Sequence, residues 1–383
     1  MENLNFEALP QDVQMKIMSR LPLKSLVTCI CVSKKYASLI RTKAFRDLYL
    51  HRSMTRPRVL FVAHDIRIQQ NKAEALFHSV YQDEEPLLSS GQQQIRTNEA
   101  EVPLDEVSQP IQGLICLRGG TNVVICNPGA KKFRRLPQIQ RPNGASIRCF
   151  FGYDETTDVF KVLCITQFGE GRRTKEFHVY TVTEGSVEDS SWSRITCKHD
   201  HSQVSRGLFK GGFLYYVAQP NSEKYQVMSF NVSSEDFTVI EVPDRGETST
   251  VNDHRWKLVN YNGEIALVDD SVFKSGIVDI WDDDGIGCFV LWVRNEISGN
   301  WGRKIVKIPQ WLETVEHHKF FFNGTIGTRE LVFTPYCWLE GQIFVVYYDT
   351  DTTNLRRFEI EGMVDGYYYV RTFLNHVDST WLI

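Results

Sequence analysis

From Val59 onward, short apolar segments recur between turn residues, and this recurrence constrains the fold more than any other feature of the chain. Each segment has five to eight residues and is rich in Val, Ile, Phe and Tyr, the residues that β-strands prefer. The segments are VLFVA, NVVIC, FKVLCI, EFHVYTV, GFLYYVA, YQVMSFNV, EIALVDD, CFVLWV, QIFVVYY and YYYVRTF. They predict a large all-β domain.

A loose repeat connects these segments into larger units. A glycine followed by three mostly apolar residues recurs at Gly113, Gly212, Gly263 and Gly341. Three of the units end in a strand with an apolar-Pro pair: Leu136-Pro137, Val242-Pro243 and Ile308-Pro309. Units of roughly 40–50 residues with several strands each are typical of propeller blades, and radial repetition protects strand edges. We predict a β-propeller of about six irregular blades; a β-sandwich or an irregular barrel is the alternative.

A polar and acidic stretch at 82–106 interrupts the strand pattern. It lacks the apolar alternation of its neighbours and lies inside the repeat region. We interpret it as a long mobile loop within the β domain and not as a second domain boundary.

The first fifty residues follow a different, helical period. Leu9, Val13, Ile17 and Leu21 recur every four residues and share one helical face. Pro10 suits the first helical position, where its missing N–H costs nothing. Pro22 cannot continue that helix and forces a break.

Two further helices and a final apolar face complete this segment. A second helix is predicted at about 24–31, and Ser33 is a suitable N-cap for a third with the sequence KKYASLI. Phe45, Leu48 and Tyr49 then give one more apolar face before the basic connection HRSMTRPR at 51–58. We expect few contacts across this connection.

Charge is spread unevenly between the two parts. Residues 1–52 hold 9 Lys and Arg against 4 Asp and Glu, whereas the remaining residues hold 34 against 43, for a net charge of -4. The net charge argues against a nucleic-acid binder. The basic first segment would suit an acidic partner surface, but on composition alone we favour a solvated basic face.

No sequence motif indicates catalysis, a cofactor or a metal. Asp282-Asp283-Asp284 and the Asp349/Asp351 pair do not match a calcium loop, and the adjacent His317-His318 cannot face one metal from a helix. We predict solvated turns and a surface pair at these places, and a protein that is not an enzyme.

The chain shows no secretory signal and no apolar run of bilayer length. Its nine cysteines are scattered, with no C-x-x-C pair, as expected for free thiols in the cytoplasm or nucleus. We expect no membrane partner.

The opening segment resembles an F-box, the motif that docks onto the Skp-type adaptor of cullin-based ubiquitin ligases. The matching residues are Leu9-Pro10, Asp12, Val13, Ile17, Arg20-Leu21-Pro22, Lys24-Ser25-Leu26, Val32-Ser33-Lys34 and Ser38-Leu39-Ile40. Tyr36 stands where plant versions commonly have Trp, so an aromatic ring is kept.

The rest of the chain resembles the F-box-associated domain of plant F-box proteins, which is kelch-like. The matching segments are QGLICL at 112–117, VICNPGAKKFRRLP at 124–137, FGYDETTDVFKVLCI at 151–165 and KLVNYNGEIALV at 257–268. Target specificity differs between family members, so the resemblance implies no particular target or target-binding residue.

The resemblance implies a small all-α F-box at 4–52 and a large F-box-associated β domain at 57–383. The protein would be the non-catalytic substrate-recognition subunit of an SCF (Skp–cullin–F-box) ubiquitin ligase, with the adaptor, a cullin and an unidentified target as partners. A binding or scaffold propeller without a ubiquitin-ligase role is the alternative. The adaptor-binding residues implied are Leu9, Pro10, Val13, Ile17, Leu21, Pro22, Leu23, Ser25, Leu26, Cys29 and Val32.

Overall fold

The computed structural model begins with four helices and continues in strands. It describes residues 6–65, 75–81, 95–96, 105–140, 144–168, 174–183, 191–203, 205–220, 225–243, 256–269, 286–316, 320–327, 329–335, 337–338, 343–360 and 368–382. After a 3-10 turn at Phe6–Ala8, the helices are α1 (Gln11–Met18), α2 (Leu23–Val32), α3 (Lys34–Ile40) and α4 (Lys43–Met54).

The helix starts follow from local chemistry. Pro10 and Pro22 are the N-cap residues of α1 and α2, with ψ of 147° and 148°, so each helix begins one residue after its proline. Ser33 caps α3, as predicted, and its hydroxyl accepts a hydrogen bond from the Tyr36 N–H at 3.4 Å. Thr42 caps α4 in the same way. Each cap satisfies an N–H that has no partner within its helix.

The described strands form six antiparallel sheets, which are the blades of a propeller. The closing blade contains β1 (Arg58–Asp65), β2 (Ala75–Tyr81), β3 (Ile95–Arg96), β23 (Cys337–Trp338) and β26 (Tyr368–His376). Blade 1 contains β4 (Glu106–Val107), β5 (Ile115–Gly119), β6 (Asn122–Asn127) and β7 (Lys132–Arg135). Blade 2 contains β8 (Ser146–Asp154), β9 (Val159–Phe168), β10 (Thr174–Val182) and β11 (Ser193–Ile195).

The other three blades follow in chain order. Blade 3 contains β12 (His201–Gln203), β13 (Leu208–Lys210), β14 (Phe213–Pro220), β15 (Gln226–Asn231) and β16 (Phe237–Glu241). Blade 4 contains β17 (Trp256–Tyr261), β18 (Glu264–Asp269), β19 (Gly287–Arg294) and β20 (Trp301–Ile308). After the short helix α5 (Trp311–Val315), blade 5 contains β21 (Phe320–Thr325), β22 (Leu331–Pro335), β24 (Ile343–Tyr348) and β25 (Leu355–Ile360).

The six blades form a closed ring, because apolar clusters fill the space between every neighbouring pair. Leu60 and Phe77 of the closing blade pack against Ile115 and Leu117 of blade 1, which joins the last blade to the first. Blade 1 therefore lies opposite blade 4. This arrangement confirms the predicted six-bladed propeller and removes the sandwich and barrel alternatives.

The closing blade combines strands from both ends of the chain. β1 pairs with β26, and Arg58 lies opposite His376 in the register. Beyond β26 the chain continues to Leu382 along blades 1 and 2. There the Trp381 ring packs against the Phe160 ring in a T-shaped arrangement, with 5.0 Å between the ring centroids. Both termini of the propeller are thereby fixed at one end of the ring, which we call the helical end.

Each of the ten apolar segments named above supplies the residues of a strand, and no strand excludes more than one segment residue at either end. The prediction of a mobile loop at 82–106 is wrong at two places, because Ile95–Arg96 form β3 and Glu106 begins β4. Residues 82–94 and 97–104 lie outside the described residues. The predicted boundaries at 52 and 57 fall near the end of α4 and the start of β1.

Candidate docking surface on the N-terminal helices

The four helices share a small apolar core. Gln14 supports it, since its side-chain amide donates to the Leu9 carbonyl at 2.7 Å and ties the chain before α1 to the helix. The buried side chains of this core are Met18, Leu23, Leu26, Leu39, Ile40, Phe45 and Tyr49, together with Ala130 from blade 1.

The opposite side of α1 and α2 carries apolar side chains that the chain itself leaves uncovered. Ile17 is 42% exposed and Val32 is 72% exposed. Pro10 and Pro22 are also exposed. The residues that reach the surface only partly are Leu9, Val13, Leu21, Ser25 and Cys29, of which Leu21 and Cys29 also pack against the helical core. An apolar group of this kind, uncovered at the surface, is typical of a protein–protein docking site.

Leu23 and Leu26, both expected among the adaptor-binding residues, do not lie on the surface. Leu23 is 2% exposed and Leu26 is completely buried, because both project from α2 into the helical core. In this structure they belong to the core beneath the exposed apolar group, and their role in adaptor binding stays a prediction. Apolar residues that recur every four positions identify one apolar face of a helix. They do not show whether a neighbouring helix or a partner protein covers that face.

Basic side chains surround the apolar group. They are exposed, and no described residue forms an ion pair with any of them: Lys16, Arg20, Lys24, Lys34 and Lys35. The positive charge of the first segment is therefore directed to solvent, where it can attract an acidic partner.

Helix α4 is joined to blade 2 by a charged cluster. The turn between β8 and β9 presents Asp158, whose carboxylate lies 3.1 Å from Lys43 Nζ and 3.1 Å from a guanidinium nitrogen of Arg46. Burial alone would raise the pKa of Asp158, but the hydrogen bond from Tyr153 and the charge of Lys43 lower it below its usual value. The Arg46 guanidinium also lies over the Trp381 ring, 4.1 Å from its centroid.

A second joint connects the end of α4 to the C-terminal segment. The Asp378 N–H donates to the Ser53 hydroxyl at 2.7 Å, and the Asp378 carboxylate pairs with Arg58 at 3.1 Å. Burial raises the pKa of the nearby Tyr49 hydroxyl, and the charge of Asp378 raises it further. Tyr49 therefore remains a neutral, buried member of the joint.

The C-terminal segment is itself held firmly against blade 1. The Asn127 side-chain amide donates to the carbonyls of Ser379 and Trp381, both at 2.8 Å. A Cβ at Gly113 would lie only 2.6 Å from the Ser379 Cβ, so this position has no room for a side chain. The expectation of few contacts between the helices and the β domain is wrong: buried contacts and ion pairs join them.

No sequence pattern predicts this joint, although two of its residues are present in the quoted segments. Asp158 belongs to FGYDETTDVFKVLCI, and Asn127 belongs to VICNPGAKKFRRLP. Their partners lie 112 residues away in the case of Arg46 and 252 residues away in the case of Ser379. No local pattern connects residues at such separations.

The described residues contain no group of three or more His, Cys, Asp or Glu that could hold a metal ion. Asp349 acts as a turn residue, because its carboxylate accepts hydrogen bonds from the Asp351 and Thr352 N–H groups. Asp282–Asp284 and His317-His318 lie outside the described residues. None of the described helices is long and apolar enough to cross a bilayer.

A segment of four helices fixed to a closed six-bladed propeller defines the two parts of this protein. The sequence profile of the F-box domain matches residues 6–48, and that of the F-box associated beta propeller domain matches residues 58–377. The chain therefore belongs to the F-box proteins that carry an F-box associated β-propeller domain. Proteins of this kind are in general adaptor or receptor subunits and not catalysts.

Plant proteins with the same two parts extend over the whole chain. The Arabidopsis thaliana F-box protein At1g70960 is 55% identical over 100% of both chains. F-box protein At1g70380 of the same plant is 52% identical, also over 100% of both chains. F-box protein DOR is 31% identical and covers 99% of this chain and 95% of its own length.

Proposed function

We propose that the protein is the substrate-recognition subunit of an SCF ubiquitin ligase. The uncovered apolar group on α1 and α2, in a chain of the F-box family, is the observation that supports this proposal. In it, the surface that includes Ile17 and Val32 docks a Skp-type adaptor, which brings a cullin. The propeller binds the target protein.

The contribution of this chain to the reaction is proximity. Other subunits carry out ubiquitin transfer, and a receptor that holds both the adaptor and the target makes the encounter of enzyme and target effectively intramolecular. A rigid joint favours this role, because the direction from the adaptor to the target is then fixed. Arg46, Arg58 and Asp378 supply that rigidity.

We place target recognition at the end of the ring opposite the helical end. Antiparallel strands put alternate connections at opposite ends, and the helical end has the β6–β7 and β8–β9 turns covered by α2 and α4. By the same alternation, β16 and β18 end, and β17 and β19 begin, at the opposite end. Connections on a rigid scaffold vary without disturbing the core, so recognition concentrates there.

We further propose that the protein acts in the cytoplasm or the nucleus. The cysteines whose state the structure describes are all free thiols, as is usual in a reducing compartment. A ubiquitin-ligase receptor requires the same location as its adaptor and cullin.

The test uses the full chain with the double change Leu9→Ala and Pro10→Ala, and in parallel Ile17→Asp. Truncation of an interface anchor costs about 2–4 kcal/mol, so adaptor affinity should fall ~30- to 1000-fold. Each variant, overproduced in plant cells, should still bind the target, shield it and raise its abundance relative to the unchanged chain.

The matched control is Ile305→Asp, which changes a half-exposed isoleucine on β20 of blade 4. It should leave adaptor binding and target abundance as they are with the unchanged chain. Undiminished adaptor affinity in both helical variants would contradict the docking assignment. Adaptor binding without any change in a partner's ubiquitination would favour the alternative, a scaffold role.

A further inference from the structure

The turn between β6 and β7 of blade 1 is part of the helical body. A Cβ at Gly129 would lie 2.8 Å from Leu23 Cδ2 and 2.9 Å from the Asp378 carboxylate, so the backbone here touches α2 and the joint directly. The next residue, Ala130, is 8% exposed and belongs to the helical core. The propeller thus supplies one element of the surface around the start of α2.

A basic run begins immediately after this contact. Lys131 has a φ of 54° and Lys132 opens β7, the outermost strand of blade 1. Both side chains are exposed, and no described residue forms an ion pair with either. Their exposure follows from the geometry, because the chain leaves the helical core at Ala130 and turns to the rim of the blade.

The helical side of the same contact is also basic. Leu23, which touches Gly129, lies next to exposed Lys24, and exposed Arg20 precedes Leu21 and Pro22. Cationic groups therefore flank the contact between α2 and blade 1 from both sides. The exposed cations next to this contact thus come from both the helices and the propeller.

We propose that Lys131 and Lys132 extend the docking surface of the helices and contact carboxylates of the docked adaptor. This inference rests on the proposed function, and it adds that the propeller contributes to adaptor binding. The chemistry of the surface requires an acidic region on the adaptor next to its contact with Pro22. Exposed charges at the rim of an interface mainly accelerate association and fix orientation.

Blade 4 provides a comparison within the same molecule. Its outermost strand, β20, also carries exposed basic side chains, among them Arg303 and Lys307. Basic residues on an outer strand prevent edge-to-edge association, and this explanation suffices for β20. Among the described outer strands, β7 alone combines exposed basic side chains with a direct attachment of its turn to the helices, and blade 4 lies on the opposite side of the ring.

The experiment measures association and dissociation rates of the full chain with a recombinant plant Skp-type adaptor at low and at high salt. The test variant is Lys131→Glu with Lys132→Glu. The matched control is Arg303→Glu with Lys307→Glu, which changes the net charge by the same amount. Ile17→Asp is measured alongside as the test of the docking assignment itself.

The expected result is an association rate about tenfold lower for the β7 variant at low salt, with a smaller difference at high salt and little change in dissociation. The β20 variant should match the unchanged chain. If both charge variants slow association equally, net charge and not a local contact is responsible, and the inference is overturned. Unchanged association of the β7 variant, with binding lost in Ile17→Asp, also overturns it while leaving the proposed function intact. Binding retained in Ile17→Asp would instead refute the proposed function.

Discussion

Arg58 and Asp378 form an ion pair at 3.1 Å that joins the first residue of β1 to the segment beyond β26. The two side chains are only 10% and 13% exposed. Asp378 also donates its backbone N–H to Ser53 of α4. A single buried pair therefore connects the helices, the first strand and the C-terminal segment.

The first prediction concerns this pair. Arg58→Met leaves the buried Asp378 carboxylate without its cation, and the free energy of unfolding should fall by about 3–5 kcal/mol. The double variant Arg58→Met with Asp378→Asn should lose less stability than the two single variants lose in sum, because no buried charge of this pair remains. Urea unfolding measures all three. As a control, Asp47→Asn breaks an exposed pair with Lys43 and should cost under about 1 kcal/mol. Strict additivity of the two single variants would show that the pair is not coupled.

The second prediction concerns Arg46, which pairs with Asp158 and covers Trp381. Arg46→Ala removes both contacts and should loosen α4 on the propeller, with a loss of about 1–3 kcal/mol locally. Hydrogen exchange should quicken in α4 and in the C-terminal segment but not in β17–β20 of blade 4. Arg46→Lys keeps a charge for Asp158 without the planar face for the ring, so an intermediate effect is expected. Equal protection of α4 in all three proteins would contradict the joint.

The third prediction concerns pH. Burial lowers the pKa of His201 to about 4 and, with the charge of Arg58, that of His376 to about 3. Neutral His201 donates from Nδ1 to the His199 carbonyl at 2.8 Å and accepts the Tyr216 hydroxyl at Nε2 at 2.7 Å. Because both folded pKa values lie below the unfolded value of about 6.5, the unfolded chain alone takes up these protons as pH falls. The stability that these groups contribute is complete above that value and is lost below it.

Urea unfolding at a series of pH values between about 5 and 7 checks this prediction. As the pH falls below 6.5, each histidine should lower the free energy of unfolding by about 1.4 kcal/mol per pH unit. His201→Gln and His376→Gln should each reduce the slope by that amount. Replacing the exposed His51 by Gln is the control. A slope that neither variant alters would assign the pH dependence to other groups.

The fourth prediction separates support from docking in the helices. Leu26→Ala opens a cavity in the helical core and should cost about 2–5 kcal/mol in stability. Ile17→Ala removes a side chain that is 42% exposed and should cost under about 1 kcal/mol, yet reduce adaptor affinity directly. Thermal unfolding and adaptor titration are measured on both variants. Adaptor affinity that falls with Leu26→Ala at temperatures where the helices remain folded would return Leu26 to the docking surface.

Most of the propeller could be predicted from the sequence, because strand formation depends on short local patterns. GFLYYVA and QIFVVYY became β14 and β24, and Ser33 capped the helix that it was expected to cap. The burial of Leu26 could not be predicted, since a helical period does not specify which partner covers a face. The joint at Asp378 depends on residues brought together only by closure of the ring, and no local pattern encodes that closure.

The position of the C-terminal segment has a consequence for synthesis. The helices leave the ribosome before any blade, but Asp378 and Trp381, against which α4 packs, follow the last strand of the propeller and are translated after all six blades. A nascent or prematurely terminated chain can therefore display α1 and α2 without a propeller attached to them in a fixed direction. The part of the joint at Asp378 and Trp381 therefore forms only after every blade has been made, so these residues act as a check that the propeller is present before α4 is fully fixed to it.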